Sequence, residues 1–350
     1  MDQYQQLVRH VLGGTYEPNR TAADTIATFG EYYEIDISDS YPLLTTKEMD
    51  TFRWDSMLHE LVWYLSGEHH IRNLREHTGI WDAWADEEWN LPSAYGRFWR
   101  RFPVPENAAQ LPGEVWVDES SPWVERDPET ETLVFDQIAY VVDTLRGENP
   151  YRDPHTRRLV VTAWHPGNMA ESTLPPCHYT FTLRVQNGRL NCHLTQRSAD
   201  VALGVPFNIA AYALLTKAIA RTTDLEAGIF GHTLVDAHIY CGTNERGAWY
   251  RDHLAELQTR LADAAVPADY RDIREWILAA APPEEGDEVD PASHRYGHDH
   301  VPGLLEQLAR DPLDRPTIDV DIDDIDDLTY DRVTLRDYQS HGGLRFAVAE

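Results

Sequence analysis

The chain has 350 residues, 42% hydrophobic and 11% aromatic, enough to bury a large core in one or two domains. Its 59 acidic and 30 basic residues leave a net charge of −29, which disfavours nonspecific nucleic-acid binding and leaves any anionic ligand to a local arginine cluster. No signal-peptide pattern or membrane-length apolar stretch is seen, and three cysteines without paired spacing fit a reducing compartment, so a cytoplasmic protein with no membrane or nucleic-acid partner is expected.

Residues 2–12 have a helical period and stop at Gly13-Gly14. Strands are predicted at about 25–29 and 32–37. Lys47 ends the run Leu43-Leu44-Thr45-Thr46-Lys47 and reads as a solvated side chain. Residues 54–65 form an amphipathic helix closed by Gly67, the usual left-handed terminator. Its His59-Glu60-Leu61-Val62-Trp63 is no zinc-protease motif, because Trp stands where the second His belongs. Glu60 sits on an otherwise apolar helix. It is either a helix-edge residue or a desolvated carboxyl whose raised pKa suits proton transfer near neutrality. Trp81 and Trp84, three apart, read first as core packing. Residues of about 103–134 are rich in Pro, Glu and Asp and read as a polar insert. Asp136 should cap a helix over 137–146 that ends at Gly147. Arg157-Arg158 precede a strand and would ordinarily be solvated.

Residues 174–208 are the most informative. Asn187-Gly188 suits a type I′ turn between two alternating runs, a strong hairpin signal. Cys192 falls on the apolar face of that hairpin. Cys177 follows Pro175-Pro176 where the first strand begins, and reads as either a buried small hydrophobe or a nucleophile. A thiolate there needs a nearby cation, and Arg197 at the far end of the paired strand can supply it. His178 would point to the opposite strand face and makes a poor base. Arg197-Ser198 joins a cation to a hydroxyl, a common pairing on phosphate oxygens. Asn208 reads as the N-cap of a helix starting at Ile209, yet its amide also matches N3–H and O4 of a uracil ring.

Farther on, His238 and Tyr240 stand two apart and share a face if extended. Residues of about 264–309 read as a second polar insert, with His294, His298 and His300 in an acidic solvated loop rather than on a metal. A strand with charged edges is expected near Val320 and Ile322, and its Asp run lacks the Gly and Glu of a calcium loop.

Pro175-Pro176-Cys177-His178, Gln196-Arg197-Ser198-Ala199-Asp200, the run 203–208 and Asp236-Ala237-His238-Ile239-Tyr240 occur in the order and near-spacing of thymidylate synthases, which the chain resembles from its start to its last residues. The resemblance implies one α+β domain over 1–350, with a mixed, mostly antiparallel central sheet, flanking helices and the two polar inserts. It implies reductive methylation of dUMP, with 5,10-methylenetetrahydrofolate as carbon and hydride donor and no metal. Cys177 would add to C6 of the pyrimidine, Asn208 hold its edge, Glu60 act at O4 through water and Tyr95 anchor the water that takes the C5 proton. Arg20, Arg197 and Ser198 would bind the phosphate, joined by Arg157 and Arg158 from the partner of a homodimer. His238 and Tyr240 would reach the deoxyribose 3′-hydroxyl. Asp200, Trp81, Trp84 and Lys47 would line the folate site, and the tail through Ala349 would close over it. The chain departs from the family pattern at Ala22-Ala23, at Val235 and Ala237, and in ending at Glu350.

Three other readings compete. A pyrimidine hydroxymethylase of the same superfamily would omit the hydride step, and Asn208 argues for uracil over cytosine. A Cys-His acyl hydrolase lacks a marked oxyanion hole or third member. A noncatalytic binding protein would not need the full Cys, Glu, Asn and Arg set. The acidic composition, with Lys47 and Lys217 the only lysines, further suggests a surface adapted to multimolar salt.

Overall fold

The computed structural model describes residues 1–18, 23–105, 119–128, 130–167, 174–284 and 289–349. In chain order the elements are α1 (Asp2–Leu12), β1 (Thr15–Glu17), β2 (Thr25–Asp36), α2 (Phe52–Ser66), α3 (Tyr95–Arg100), β3 (Phe102–Pro103), β4 (Val124–Arg126), β5 (Leu133–Phe135), α4 (Gln137–Arg146) and β6 (Val160–Thr162). There follow β7 (Thr180–Gln186), β8 (Arg189–Gln196), β9 (Ala199–Asp200), α5 (Gly204–Thr222), β10 (Glu226–Tyr240), α6 (Asn244–Asp263), α7 (Pro267–Ala280), α8 (Val301–Leu308), β11 (Thr317–Val320) and β12 (Val333–Arg336).

The centre is a seven-stranded mixed sheet in the order β1-β2-β10-β8-β7-β6, with β9 also on β10. The β8–β10 and β9–β10 pairs are parallel and the others antiparallel. The expected hairpin is present: Asn187 and Gly188 hold φ of 52° and 75°, and Gln186 pairs with Arg189. The two strands expected at 25–29 and 32–37 are one, because β2 keeps its register on β10 across Gly30, whose φ of 87° only a glycine adopts readily. α5 packs on β8 and β10, and α2 packs on α5. Both helices bury apolar faces there, including Ile209, Ala213, Leu58 and Leu61. On the other sheet face the laterally paired sets Glu34–Gly231–His193–Thr182 and Tyr32–Thr233–Thr195–Thr180 are mostly polar, and Tyr32 is 55% exposed.

One helix boundary differs from expectation. α5 begins at Gly204, not Ile209, so Asn208 lies within the helix and is no N-cap. Pro206 is tolerated because first-turn amides have no intrahelical acceptor. Asp200 Oδ1 accepts from the amides of Ala202 and Leu203 at 2.8 and 3.1 Å just before the helix.

The described parts of the inserts hold more regular structure than their composition suggests. The described ends of the first form a three-stranded sheet, β3-β5-β4, over a buried Trp123 whose indole donates to Asp143 at 2.8 Å. The second holds α7, and α8 belongs to the core, with Val301, Leu304 and Leu305 fully buried. The helical excursion leaves the sheet after β10 and returns through a backbone clasp. Gly242 N–H donates to His298 O at 3.1 Å, and His300 N–H donates to Tyr240 O at 2.9 Å. Arg246 closes it from within, donating through Nε to buried Asp299 at 2.7 Å.

Candidate active site

Cys177 follows Pro175-Pro176 at a bend just before β7, and Arg197 stands just past the end of β8. Beyond the β7–β8 ladder, and one residue off its register, Arg197 N–H donates to Cys177 O at 2.8 Å. The guanidinium then folds back over the same segment. Nε donates to Pro176 O at 3.0 Å, and Nη2 donates to Pro175 O at 2.6 Å and reaches Cys177 Sγ at 3.5 Å. Burial raises the thiol pKa, while the Arg197 charge opposes that rise. Hairpin geometry thus provides the cation that the nucleophile reading requires.

Tyr95 opens α3, and its hydroxyl accepts from Cys177 N–H at 2.8 Å. Its ring stacks on His178, with centroids 3.8 Å apart and planes 4° off parallel. His178 Nδ1 pairs with Tyr212 Oη at 2.8 Å, and burial holds its pKa down to about 3. Burial thus makes His178 a weak base.

Glu60 lies on α2 behind this group. Oε1 accepts from Trp81 Nε1 at 2.7 Å and from Tyr64 Oη at 2.9 Å. Desolvation raises its pKa to about 7 against the pull of those two donors. Trp81 also packs edge-on to Tyr95 and Trp84, at 6.0 and 5.5 Å. Trp81 is therefore both wall and hydrogen-bond donor. Tyr64 was not singled out from the sequence, although its i+4 position places it on Glu60's face of the helix.

Asn208 Oδ1 is buried without a hydrogen-bond partner. A buried acceptor left unpaired costs on the order of 1–3 kcal/mol, so its natural complement is a ligand N–H. Gly204 lies alongside, where an added Cβ would stand 3.8 Å from that oxygen and 3.9 Å from Asp200 Cβ. His238 and Tyr240 share a face of β10 and pack at 5.2 Å. His238 Nδ1 lies 3.3 Å from Asp236, and both Asp236 and Tyr240 lie close enough to Cys177 to couple electrostatically.

Other expected residues stand apart. Arg157 and Arg158 are exposed before β6 and make no ion pair among the described residues. Arg20 and Glu350 lie outside the described residues. Lys47 is 2% exposed rather than solvated. Its Nζ donates to Ala202 O at 2.7 Å, lies 5.6 Å from the Phe346 ring centre, and has its pKa lowered by burial to about 7. The solvated-loop reading fails for His300, which is fully buried, whereas His294 and His298 are partly exposed and His298 bonds the tail. Ser198 turns its backbone oxygen to Gln196 Nε2 at 2.9 Å. Ala349 is partly exposed at the tail end.

The thymidylate synthase family model matches residues 2–350. A curated thymidylate synthase of Haloferax volcanii is 56% identical over 345 residues, covering 98% of this chain and 95% of that protein. The chain belongs to the thymidylate synthase family. As a thymidylate synthase it is a methyltransferase that converts dUMP to dTMP with 5,10-methylenetetrahydrofolate as cosubstrate. The residues present fit that folate. Asp200 uses only Oδ1 on loop amides, which suits a donor-bearing ring at Oδ2, and partly exposed Trp84 stands beside buried Trp81 as an aromatic surface.

Proposed function

We propose that Cys177 is the nucleophile of this thymidylate synthase and that Asn208 reads the pyrimidine. The observation that carries the reading is the orphaned Asn208 Oδ1 in the same chain as a thiol held under a guanidinium. The Cys177 thiolate bonds to C6 of dUMP, and the C5–C6 electron pair moves toward C5 and O4. Arg197 stabilises the thiolate before attack. Oδ1 of Asn208 accepts from N3–H while its amide N–H donates to O4. Glu60, poised near neutrality, exchanges a proton with O4 through water. Tyr95, fixed by the Cys177 amide, anchors the water that removes the C5 proton. The folate, when bound, supplies the one-carbon unit and the hydride; Asp200, Trp81, Trp84 and the tail would hold it, with Lys47 acting from beneath the Asp200 loop.

Arg197 and Ser198 receive the phosphate together with Arg20, and His238 with Tyr240 receives the 3′-hydroxyl. Arg157 and Arg158 complete a partner's phosphate site in a homodimer. Their exposure at the sheet edge supports this, as does the sheet face carrying Tyr32 and Ile229, 55% and 38% exposed. No helix among the described residues is long and apolar enough to cross a membrane. We place the enzyme in a cytoplasm rich in salt, on the strength of its charge of −29.

Purified protein in high KCl, given methylenetetrahydrofolate with dUMP or dCMP, tests the assignment through dihydrofolate absorbance. Product only with dUMP, abolished in Cys177→Ala, is the expected result. Consumption of the folate methylene without dihydrofolate would mean hydroxymethylation instead.

A further inference from the structure

His300 is fully buried just before α8, at the return of the helical excursion. Its Nε2 lies 2.9 Å from Ala347 O, and because a carbonyl only accepts, the ring carries a proton on Nε2. Nδ1 is buried with no hydrogen-bond partner and faces Asp200 Oδ1 at 3.9 Å, beyond hydrogen-bond range. The ring packs against Phe346 at 4.9 Å and meets Tyr240 edge-on at 5.4 Å. One side chain therefore touches the C-terminal tail and the strand assigned to the nucleotide, and it faces the carboxylate assigned to the pterin. Packing alone does not call for this residue, since a phenyl ring would fill the space without stranding a nitrogen.

We propose that His300 is a positioning residue for folate turnover, holding the C-terminal tail against the Asp200 wall through its bond to Ala347. The proposal rests on reading Asp200 and the tail as folate contacts. The neighbouring last residues of the tail are attached to the same return segment, while Tyr338 and His341 bond the backbone of Leu44 and Thr45. Tyr296 N–H donates to Arg345 O at 2.8 Å, Ala347 N–H donates to Gly297 O at 3.1 Å, and His298 Nε2 donates to Val348 O at 3.1 Å. The excursion thus ends in a dock for the tail, and His300 is the part of that dock that also faces Asp200.

The test uses the full-length enzyme in high KCl with His300→Phe, His300→Gln and Asp200→Ala. Phe keeps the ring and loses the donor, whereas Gln can place an N–H near the position of Nε2. We expect His300→Phe to raise the folate KM on the order of tenfold with the dUMP Kd nearly unchanged, and His300→Gln to recover most of the loss. Hydrogen exchange at the Ala347 amide should quicken in His300→Phe and stay slow in His300→Gln. If Asp200→Ala raises the folate KM but His300→Phe does not, or if His300→Phe weakens dUMP equally, His300 is only packing and the proposal fails. If Asp200→Ala leaves the folate KM unchanged, the reading beneath the proposal fails and takes it along. Should His300→Phe not fold, His300→Asn serves in its place; its shorter amide cannot reach Ala347, and wild-type folate KM and tail protection in that variant would overturn the proposal.

Discussion

Trp81 Nε1 donates to Glu60 Oε1 at 2.7 Å, joining a loop tryptophan to the carboxylate on α2. Because Tyr64 donates to the same oxygen, Oε1 is fixed and Oε2 has no protein donor among the described residues. The carboxyl is thereby aimed but not neutralised by a cation, which is why desolvation prevails and its pKa rises to about 7.

Glu60→Gln should keep both donors and lose the titration. Turnover should fall on the order of a hundredfold or more. Stability should move the other way. The folded-state pKa of about 7 exceeds the ordinary 4.5, so the neutral carboxyl's contribution is fully present below 4.5 and is lost as pH rises through 7. The gap corresponds to up to roughly 3 kcal/mol. Thermal melts in high KCl should show Glu60→Gln more stable than wild type at pH 8 and level with it near pH 4. A constant difference across that range would contradict the assignment.

Arg197→Met should leave the Pro175 and Pro176 carbonyls without their donor and push the Cys177 thiol pKa higher still. Alkylation of Cys177 by iodoacetamide at neutral pH should slow on the order of tenfold, since only the thiolate attacks. An unchanged alkylation rate would remove Arg197 from nucleophile activation.

Asn208→Asp should shift preference from dUMP toward dCMP. A carboxylate can accept from the cytosine 4-amino group, but it cannot donate to uracil O4. Competition between the two nucleotides for dihydrofolate-coupled turnover measures the shift, and retained dUMP preference would place Asn208 outside the ring contact.

Arg157→Ala/Arg158→Ala chains and Cys177→Ala chains should each be nearly inactive alone. Mixed and re-paired, they should regain about a quarter of wild-type activity, because half of randomly formed dimers carry one site with intact Cys177 and the partner's arginines. No recovery on mixing would show that both arginines act within their own chain.

The carboxylate excess predicts a salt requirement. Stepwise removal of KCl should lower the melting temperature and end in unfolding, as self-repulsion among acidic groups loses its screening. Full stability in dilute buffer would refute adaptation to salt.

The sequence alone determined the local and the chemical. Asn187-Gly188 imposed the hairpin, and Asp136 capped α4 through a 2.9 Å bond to Ala139 N–H. The ordered motifs carry the family, and with it the reaction. These features depend on backbone preference and residue identity within a few positions. Tertiary structure decided what depends on distant partners. Lys47 reads as solvated but is buried against Ala202 and Phe346, because the loop before α5 and the tail close over it. Asn208 looked like a cap until Gly204 began the helix and left Oδ1 unpaired. His300 sat in a polar stretch whose composition argued for solvent, yet a clasp 60 residues from Tyr240 carries it into the core. Burial is set by the whole chain's packing, so no local pattern announces it.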